Sequence, residues 1–393
     1  MARKILHLDL DAFFCAVEEK LNPSLKNKPF ATGGTPEGRG VVTSCSYAAR
    51  KYGIHSAMPM GQAIRQYPQL IIVQSHFHEY STYSKKVMRI LNNLTPLVEQ
   101  ISIDEAFLDV TDLPNDSKRI AADLQTQVFS SLQLPASIGG ASNKLVAKVA
   151  TNIAKSTHMG GGYPMAIKII PAGEEREFLA PLPVKEMWGI GPKSTEYLNK
   201  LGIHTIGDIL KIPTELMDKY FGKFANELIQ RAKGIDSRVV RNNENLKSVS
   251  NERTFFDDIK DEGLLLQSIK NLSEKVGVRL REKGLAGKTI RLKVRWIGFE
   301  THTRQLTLEQ ATNHDSIISN SAKKLFFSIW KTGKLVRLIG VGVSGLGEEI
   351  QQLSFFDKSY MKEENLLFAI DELKKRFGND AIYRGIKTSH NHD

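Results

Sequence analysis

The chain has 393 residues, 41% of them apolar, and 54 Lys and Arg against 43 Asp and Glu give it a net charge of +11. That describes a globular protein of two to four domains and excludes a disordered or low-complexity chain. No run reaches the ~20 apolar residues of a membrane span, and the two cysteines, Cys15 and Cys45, exclude a disulfide framework.

An acid interrupts the N-terminal run where a signal peptide needs apolar residues, so a reducing cytoplasm is expected. The charge is uneven: residues 231–340 sum to +10, residues 1–230 to +3 and residues 341–393 to −2. Positive charge concentrated in about a hundred residues suits a nucleic-acid backbone better than a merely solvated face.

Lys4 to Asp11 reads as a buried strand ending in acids, and Phe13, Phe14, Val17 and Leu21 then follow at helical spacing. Asp9 and Asp11 lie two apart, on one face if the strand continues that far. Lys28–Thr35 and Gly40–Ser46 read as short strands. A helix opens at Tyr47 and ends at Gly53, placing Tyr47 and Arg50 on one face. Arg50 is a surface charge or, beside a metal-phosphate site, a bidentate phosphate ligand that the Tyr47 hydroxyl assists.

After an amphipathic helix over 79–95, Ile101–Asp109 has strand flanks around the adjacent acids Asp104 and Glu105. Neighbours on a strand face opposite ways, so both serve one site only at a strand end or hairpin turn. They either face water in a turn or, with Asp9, form a carboxylate cluster able to hold two divalent metals for phosphoryl transfer.

Ser117–Leu132 is a second helix and Leu134–Gly140 a strand. The helix from Ser142 to Lys155 lines Lys144, Lys148 and Lys155 along one face, solvated or neutralising a triphosphate. Lys155 is the best placed of the three. Prolines at 171, 181 and 183 mark a boundary. Met187 to Ile203, with Gly189, Gly191 and Lys193, has the form of a helix-hairpin-helix that docks a DNA phosphate on backbone N–H groups, the alternative being a plain helical hairpin.

A polar tether covers 234–253. Beyond it, helix, strand, strand, helix, strand form a small α+β unit, with Arg291, Lys293 and Arg295 opposite Ile290, Leu292, Val294 and Trp296. In the tail, Gln352, Leu353, Phe355 and Phe356 either fill a groove on a partner or pack back on the basic unit, and an amphipathic helix follows near Asn365–Phe377.

Three motifs together, Asp9-Leu10-Asp11-Ala12-Phe13-Phe14, Ser44-Cys45-Ser46-Tyr47-Ala48-Ala49-Arg50 and Ser102-Ile103-Asp104-Glu105-Ala106, resemble those of the Y-family DNA polymerases, closest to the bacterial DinB branch. The resemblance covers about residues 3–345 and continues into the tail. It implies an α+β multidomain right-hand polymerase, with a palm at 1–10 and 77–166, fingers at 11–76 and a helix-hairpin-helix thumb at 167–233. A linker at 234–247, a separate α+β little finger at 248–345 and a clamp-binding tail at 346–393 complete it.

The resemblance further implies template-directed, low-fidelity translesion synthesis without proofreading, in a bacterial cytoplasm. Asp9, Asp104 and Glu105, with the Leu10 carbonyl, would bind two Mg²⁺. Phe13, Phe14, Ser44, Tyr47, Arg50 and Lys155 would bind the nucleotide, with Phe14 as the steric gate against ribose. Thr43, Ala57 and Met58 are expected beside the nascent base pair. The implied partners are primer-template DNA, dNTP and a sliding clamp (β subunit) reached through Gln352, Leu353, Phe355 and Phe356, with no membrane and a monomeric chain. The motif is followed by 37 further residues instead of ending the chain. Rival readings are a non-enzymatic DNA-repair scaffold and a palm-type nucleotide cyclase.

Overall fold

A computed structural model describes residues 2–158, 162–242, 246–348, 358–378 and 381–382. The chain divides into two compact units, 1–244 and 245–393, so the break falls inside the expected linker. Among the described residues no helix is long and apolar enough to cross a membrane.

The first unit is built on a five-stranded sheet. Its strands are β1 (Ile5–Leu10), β5 (Val98–Gln100), β6 (Glu105–Asp109), β7 (Ala136–Ala141) and β8 (Ile167–Ile169), in the order β5-β6-β1-β7-β8. The intervening β2 (Phe30–Gly33), β3 (Val42–Cys45) and β4 (Ile71–Gln74) form a separate small sheet. Central β1 runs antiparallel to both neighbours, pairing Asp9 with Glu105 on one side and with Ser137 on the other.

Alternation along β1 sorts its side chains between two cores. Leu6, Leu8 and Leu10 meet Val87 and Leu91 of the helix Phe77–Leu94, and Ile120 and Leu124 of Ser117–Leu132. Ile5, on the other face, shares a core with Phe107, Leu145 and Val149, the last two on the helix Lys144–Ser156. That helix lies close on the sheet because β7 offers Gly139, where a Cβ would come 2.1 Å from the Ala147 carbonyl oxygen. Thr151 thereby reaches His7, with Oγ1 2.9 Å from Nδ1.

The same core continues into the small helices of residues 175–232, through Leu179, Leu198, Ile206 and Leu228. The polar tether is in part fastened down. Arg3 donates to the carbonyl of Asp236, the Asp236 carboxylate accepts from Leu145 N–H, and Asn242 Oδ1 accepts from Val98 N–H on edge strand β5. These bonds use backbone groups that the edge of the sheet and the first turn of Lys144–Ser156 would otherwise leave open.

The second unit holds a four-stranded antiparallel sheet, β11-β10-β12-β9, from β9 (Ser248–Ile259), β10 (Leu285–Trp296), β11 (Thr301–Thr312) and β12 (Val336–Glu348). Helices Glu262–Arg281 and Asp315–Phe327 cover one face with Leu265, Ile269, Val276, Ile318 and Phe326. Strand β9 corrects the expectation that the tether runs to residue 253. Only Val249 and Phe255 along it are buried, so an edge strand with a mostly polar surface gives little periodic signal.

The tail helix spans Lys358–Phe377. It buries Leu367 and pairs Asp371 with Arg281, whose guanidinium also meets Asp315. Gln352, Leu353, Phe355 and Phe356 lie outside the described residues.

Candidate active site

Where β1 ends, the backbone turns sharply through Ala12, at φ 42° and ψ 48°, into the helix Phe13–Leu21. The hairpin between β5 and β6 ends beside it, with Leu10 N–H donating to the carbonyl of Asp104 at 3.0 Å. Asp104 is the last residue of that hairpin turn and Glu105 the first of β6, which resolves the opposite-face problem of two adjacent acids. Ser102 shapes the turn. Its hydroxyl donates to Asp104 Oδ1 at 2.5 Å and accepts from the N–H of Glu105 at 3.1 Å.

A pocket of about 300 Å³ opens over this junction. Asp9, Leu10, Phe13, Phe14, Ser44, Tyr47, Arg50, Asp104 and Lys155 all line it, joined by Ala12, Thr43 and Ser56. Nine of the ten residues expected to bind metal or nucleotide therefore share one cavity, although they come from four separate stretches of sequence. Glu105 is the exception. Ala57 and Met58 are absent from the lining too, Met58 being buried in the core of the small sheet.

Electrostatics divide the acids. Burial raises the proton affinity of Asp104, and the nearby negative charges of Asp9 and Glu105 raise it further. Burial also acts upward on Glu105, but His7 and the Lys148 ammonium outweigh it and hold the carboxyl at about 2. Lys148 Nζ stands 2.5 Å from Glu105 Oε2. Asp9 pairs with Lys155 at 2.6 Å, and Lys155 also touches Asp11 at 3.0 Å. Asp11 itself is fully buried and accepts from the Ser137 hydroxyl and from Met165 N–H. The strand stops at Leu10, yet Asp11 still meets the same ammonium as Asp9 while its carboxylate is buried in the loop that follows.

The lysine row is thus neither solvated nor free, since Lys144 also takes an acid, Glu99 at 2.8 Å. Each lysine of one helix face neutralises an acid of the sheet. Among the described residues no cluster of three His, Cys, Asp or Glu side chains converges in a way that could hold a metal ion. The donors present still fit a hard divalent ion. Asp9, Asp104 and the strand-end residue Leu10 line one pocket, so hard oxygen donors lie close together there, with Glu105 next to Asp104 in the chain.

Toward the small sheet, Arg50 lies over the Tyr47 ring at 4.4 Å. The Tyr47 hydroxyl is pushed up to about 12 by burial and by Asp11, which keeps it protonated as a donor. The Phe14 ring is stacked on Tyr80, whose hydroxyl donates to the buried carboxylate of Glu18. Tyr80 and His7 went unnoticed in the sequence. For His7 a signal existed, a histidine two residues before Asp9 and so on the same strand face. For Tyr80, 66 positions from Phe14, local pattern carries none.

In the turn of the expected hairpin, Gly189 is exposed at φ 97°, and Gly191 caps the helix Pro192–Lys200, with Lys193 exposed in its first turn. In the second unit Arg291 and Lys293 line a trough of about 280 Å³ with Ser248, Ser250, Glu252 and Thr303. Lys293 is engaged by Glu252 at 2.9 Å, and Arg295 donates to the Thr301 hydroxyl at 2.8 Å. The glycines at 340 and 342 pair across from Lys293 and Arg291, which keeps this face open beneath the basic side chains.

Family models match three parts of the chain. The impB/mucB/samB family matches residues 8–152, its C-terminal domain residues 246–355, and the helix-hairpin-helix motif of the same family residues 172–203. A DNA polymerase IV of Dehalococcoides mccartyi is 38% identical over 387 residues, 98% of this chain and 97% of the relative. One from Streptococcus pyogenes is 36% identical over 359 residues, 90% and 96% of the two chains. Among solved structures, a Y-family DNA polymerase chimera matches with a TM-score of 0.78 at 26% identity, over 88% of this chain and 99% of that one. An insertion ternary complex of Dbh DNA polymerase matches with a TM-score of 0.64 at 25% identity, over 88% and 99%.

Proposed function

Since the chain belongs to the impB/mucB/samB family of Y-family DNA polymerases, we propose that the pocket at the end of β1 is its nucleotidyl-transfer site, with Asp9, Asp104, Glu105 and the Leu10 carbonyl as ligands of two Mg²⁺ ions. The chain is a template-directed DNA polymerase of the translesion type, with primer-template DNA and dNTP as its substrates. Metal dependence and low fidelity are general to its family. The observation that supports the site assignment is the shared pocket, which is lined by the carboxylates Asp9 and Asp104, the cations Arg50 and Lys155, and the rings of Phe13, Phe14 and Tyr47.

Bound Mg²⁺ would acidify the primer 3′-OH and neutralise charge on the departing pyrophosphate. The rest falls to the chain's own residues. Arg50, stacked on Tyr47, presents guanidinium N–H groups to phosphate oxygens, and the Tyr47 hydroxyl donates beside it. Lys155, which lines the pocket and pairs with Asp9, would exchange that acid for a phosphate oxygen. Phe14, backed by Tyr80, would collide with a ribose 2′-OH and so favours deoxynucleotides.

Backbone N–H groups around Gly189 and Gly191, with Lys193, contact the primer-template backbone, and so does the basic face of Arg291, Lys293 and Arg295. Gln352, Leu353, Phe355 and Phe356 bind the sliding clamp (β subunit), and the chain works as a monomer in the bacterial cytoplasm at the nucleoid. Incubating the protein with primed template, Mg²⁺ and one labelled dNTP tests the reading. Template-matched addition to the primer supports it, and binding without addition refutes it.

A further inference from the structure

Lys148 and Glu105 are the middle pair of the lysine–acid rows, and both stand outside the pocket lining. Lys155 lines the pocket, so a phosphate can draw it from Asp9. Lys148 does not, and its ammonium is committed to Glu105 at 2.5 Å. The pair is largely shielded, at 14% and 17% side-chain exposure, where an ion pair is weakly screened. His7 Nε2 approaches the same carboxylate oxygen, Oε2, at 3.4 Å. Lys148 bonds Oε2, and the His7 ring stands beside the same oxygen without a hydrogen bond to it.

Lys148 is itself held. Its ammonium lies 5.8 Å from the centre of the Trp188 ring, and that ring packs 5.5 Å from Phe107, two residues along β6 from Glu105. Phe107 in turn sits 4.8 Å from the His7 ring. Trp188 is pinned from outside, with Arg238 over its ring at 4.3 Å and Arg231 donating to its carbonyl at 3.1 Å. The next residue is Gly189, where a Cβ would come 2.7 Å from the Arg231 guanidinium. A packed run of side chains therefore joins the Gly189–Gly191 turn to Glu105.

We propose that Lys148 is a positioning residue that holds Glu105 by Oε2, leaving Oε1 as the oxygen offered to a divalent cation, and that Trp188 fixes Lys148 in that place. The proposal rests on the metal role of Glu105. It differs from a merely structural ion pair in linking Lys148 to metal affinity, as partners that orient a ligand do.

The test compares Lys148→Met, Lys148→Arg, Trp188→Leu and Glu105→Ala with the parent, each as the full chain bound to primer-template. Mn²⁺ binding is read by electron paramagnetic resonance without nucleotide, alongside kcat, KM for dNTP and the thermal midpoint. Lys148→Met is expected to weaken Mn²⁺ binding and lower kcat by on the order of 10- to 100-fold, with KM for dNTP changed less than about twofold. Lys148→Arg should recover most of both, and Trp188→Leu should move them the same way by less.

Unchanged Mn²⁺ binding and kcat in Lys148→Met, beside a weakened Glu105→Ala, overturn the role of Lys148 alone. Losses in Lys148→Met and Lys148→Arg that are equal and track the thermal midpoint also overturn it. Unchanged Mn²⁺ binding in Glu105→Ala overturns the metal role of Glu105 and this proposal with it.

Discussion

The Phe14 ring lies flat on the Tyr80 ring, with centroids 4.3 Å apart and 13° between the planes. Tyr80 is fully buried and tied by its hydroxyl to Glu18, so Phe14 rests on a fixed surface. A side chain meant to exclude one hydroxyl group must not give way, and this stack supplies the resistance. Phe14→Ala should therefore raise ribonucleotide incorporation by on the order of 100-fold, about 3 kcal/mol of lost discrimination, with dNTP incorporation far less affected. Single-nucleotide insertion with matched rNTP and dNTP measures it, and unchanged discrimination would sink the gate assignment.

Asp236 gives a pH test of the fastened tether. It is buried, and although burial pushes its carboxyl up, hydrogen bonds from Arg238 and from Leu145 N–H outweigh that and hold it below its ordinary 3.8. A lowered folded-state pKa means the stabilisation is complete above the unfolded value and is lost as pH falls through the folded one. Asp236→Asn should cost the first unit roughly 3 kcal/mol at pH 7. The gap to the parent should begin to narrow as pH falls below about 4 and close only once pH passes the lower folded-state value. Urea unfolding at pH 7 and at a series of values below about pH 4 checks both halves of the statement.

The basic trough gives a paired prediction. Arg291 is exposed, whereas Lys293 is engaged by Glu252. Arg291→Ala should weaken DNA binding about equally for all sequences and reduce the slope of log affinity against log salt by about 1. Glu252→Gln should do the opposite by releasing Lys293. Titrations of labelled primer-template at several salt concentrations decide, and matching effects of the two changes would refute the assignment.

Much of this was legible in the sequence, for reasons that differ by residue. Acids ending β1 and the hairpin before β6 show as local breaks in apolar alternation, and the split of β10 into basic and apolar faces is a period-two pattern. What sits across from a helix or strand is not local. That Lys148 would meet Glu105, or Tyr80 stack on Phe14, depends on how the helix Lys144–Ser156 and the helix Phe77–Leu94 pack. β1 stops one residue short of Asp11, and what buries that acid, Ser137 and Met165 N–H, lies far away in sequence. Strand β9 escaped because so few of its side chains are buried.

The tail prediction stands on sequence alone. Changing Leu353 and Phe356 to Ala should abolish stimulation by a sliding clamp while leaving basal synthesis within about twofold, since an anchor pair of this kind supplies most of a peptide's binding energy. Primer extension with and without the clamp reads it. Equal stimulation of variant and parent would dismiss the motif.

The central claim is that Asp104, at the end of the β5–β6 turn, serves metal-dependent nucleotidyl transfer with Asp9 and Glu105. Its most direct test is single-turnover incorporation of a correct dNTP by Asp104→Ala in saturating Mg²⁺, with primer-template affinity measured in parallel. The account predicts a loss of roughly 1,000-fold or more, about 4 kcal/mol of barrier, with DNA affinity unchanged. Incorporation within about tenfold of the parent, little more than 1 kcal/mol, would contradict it.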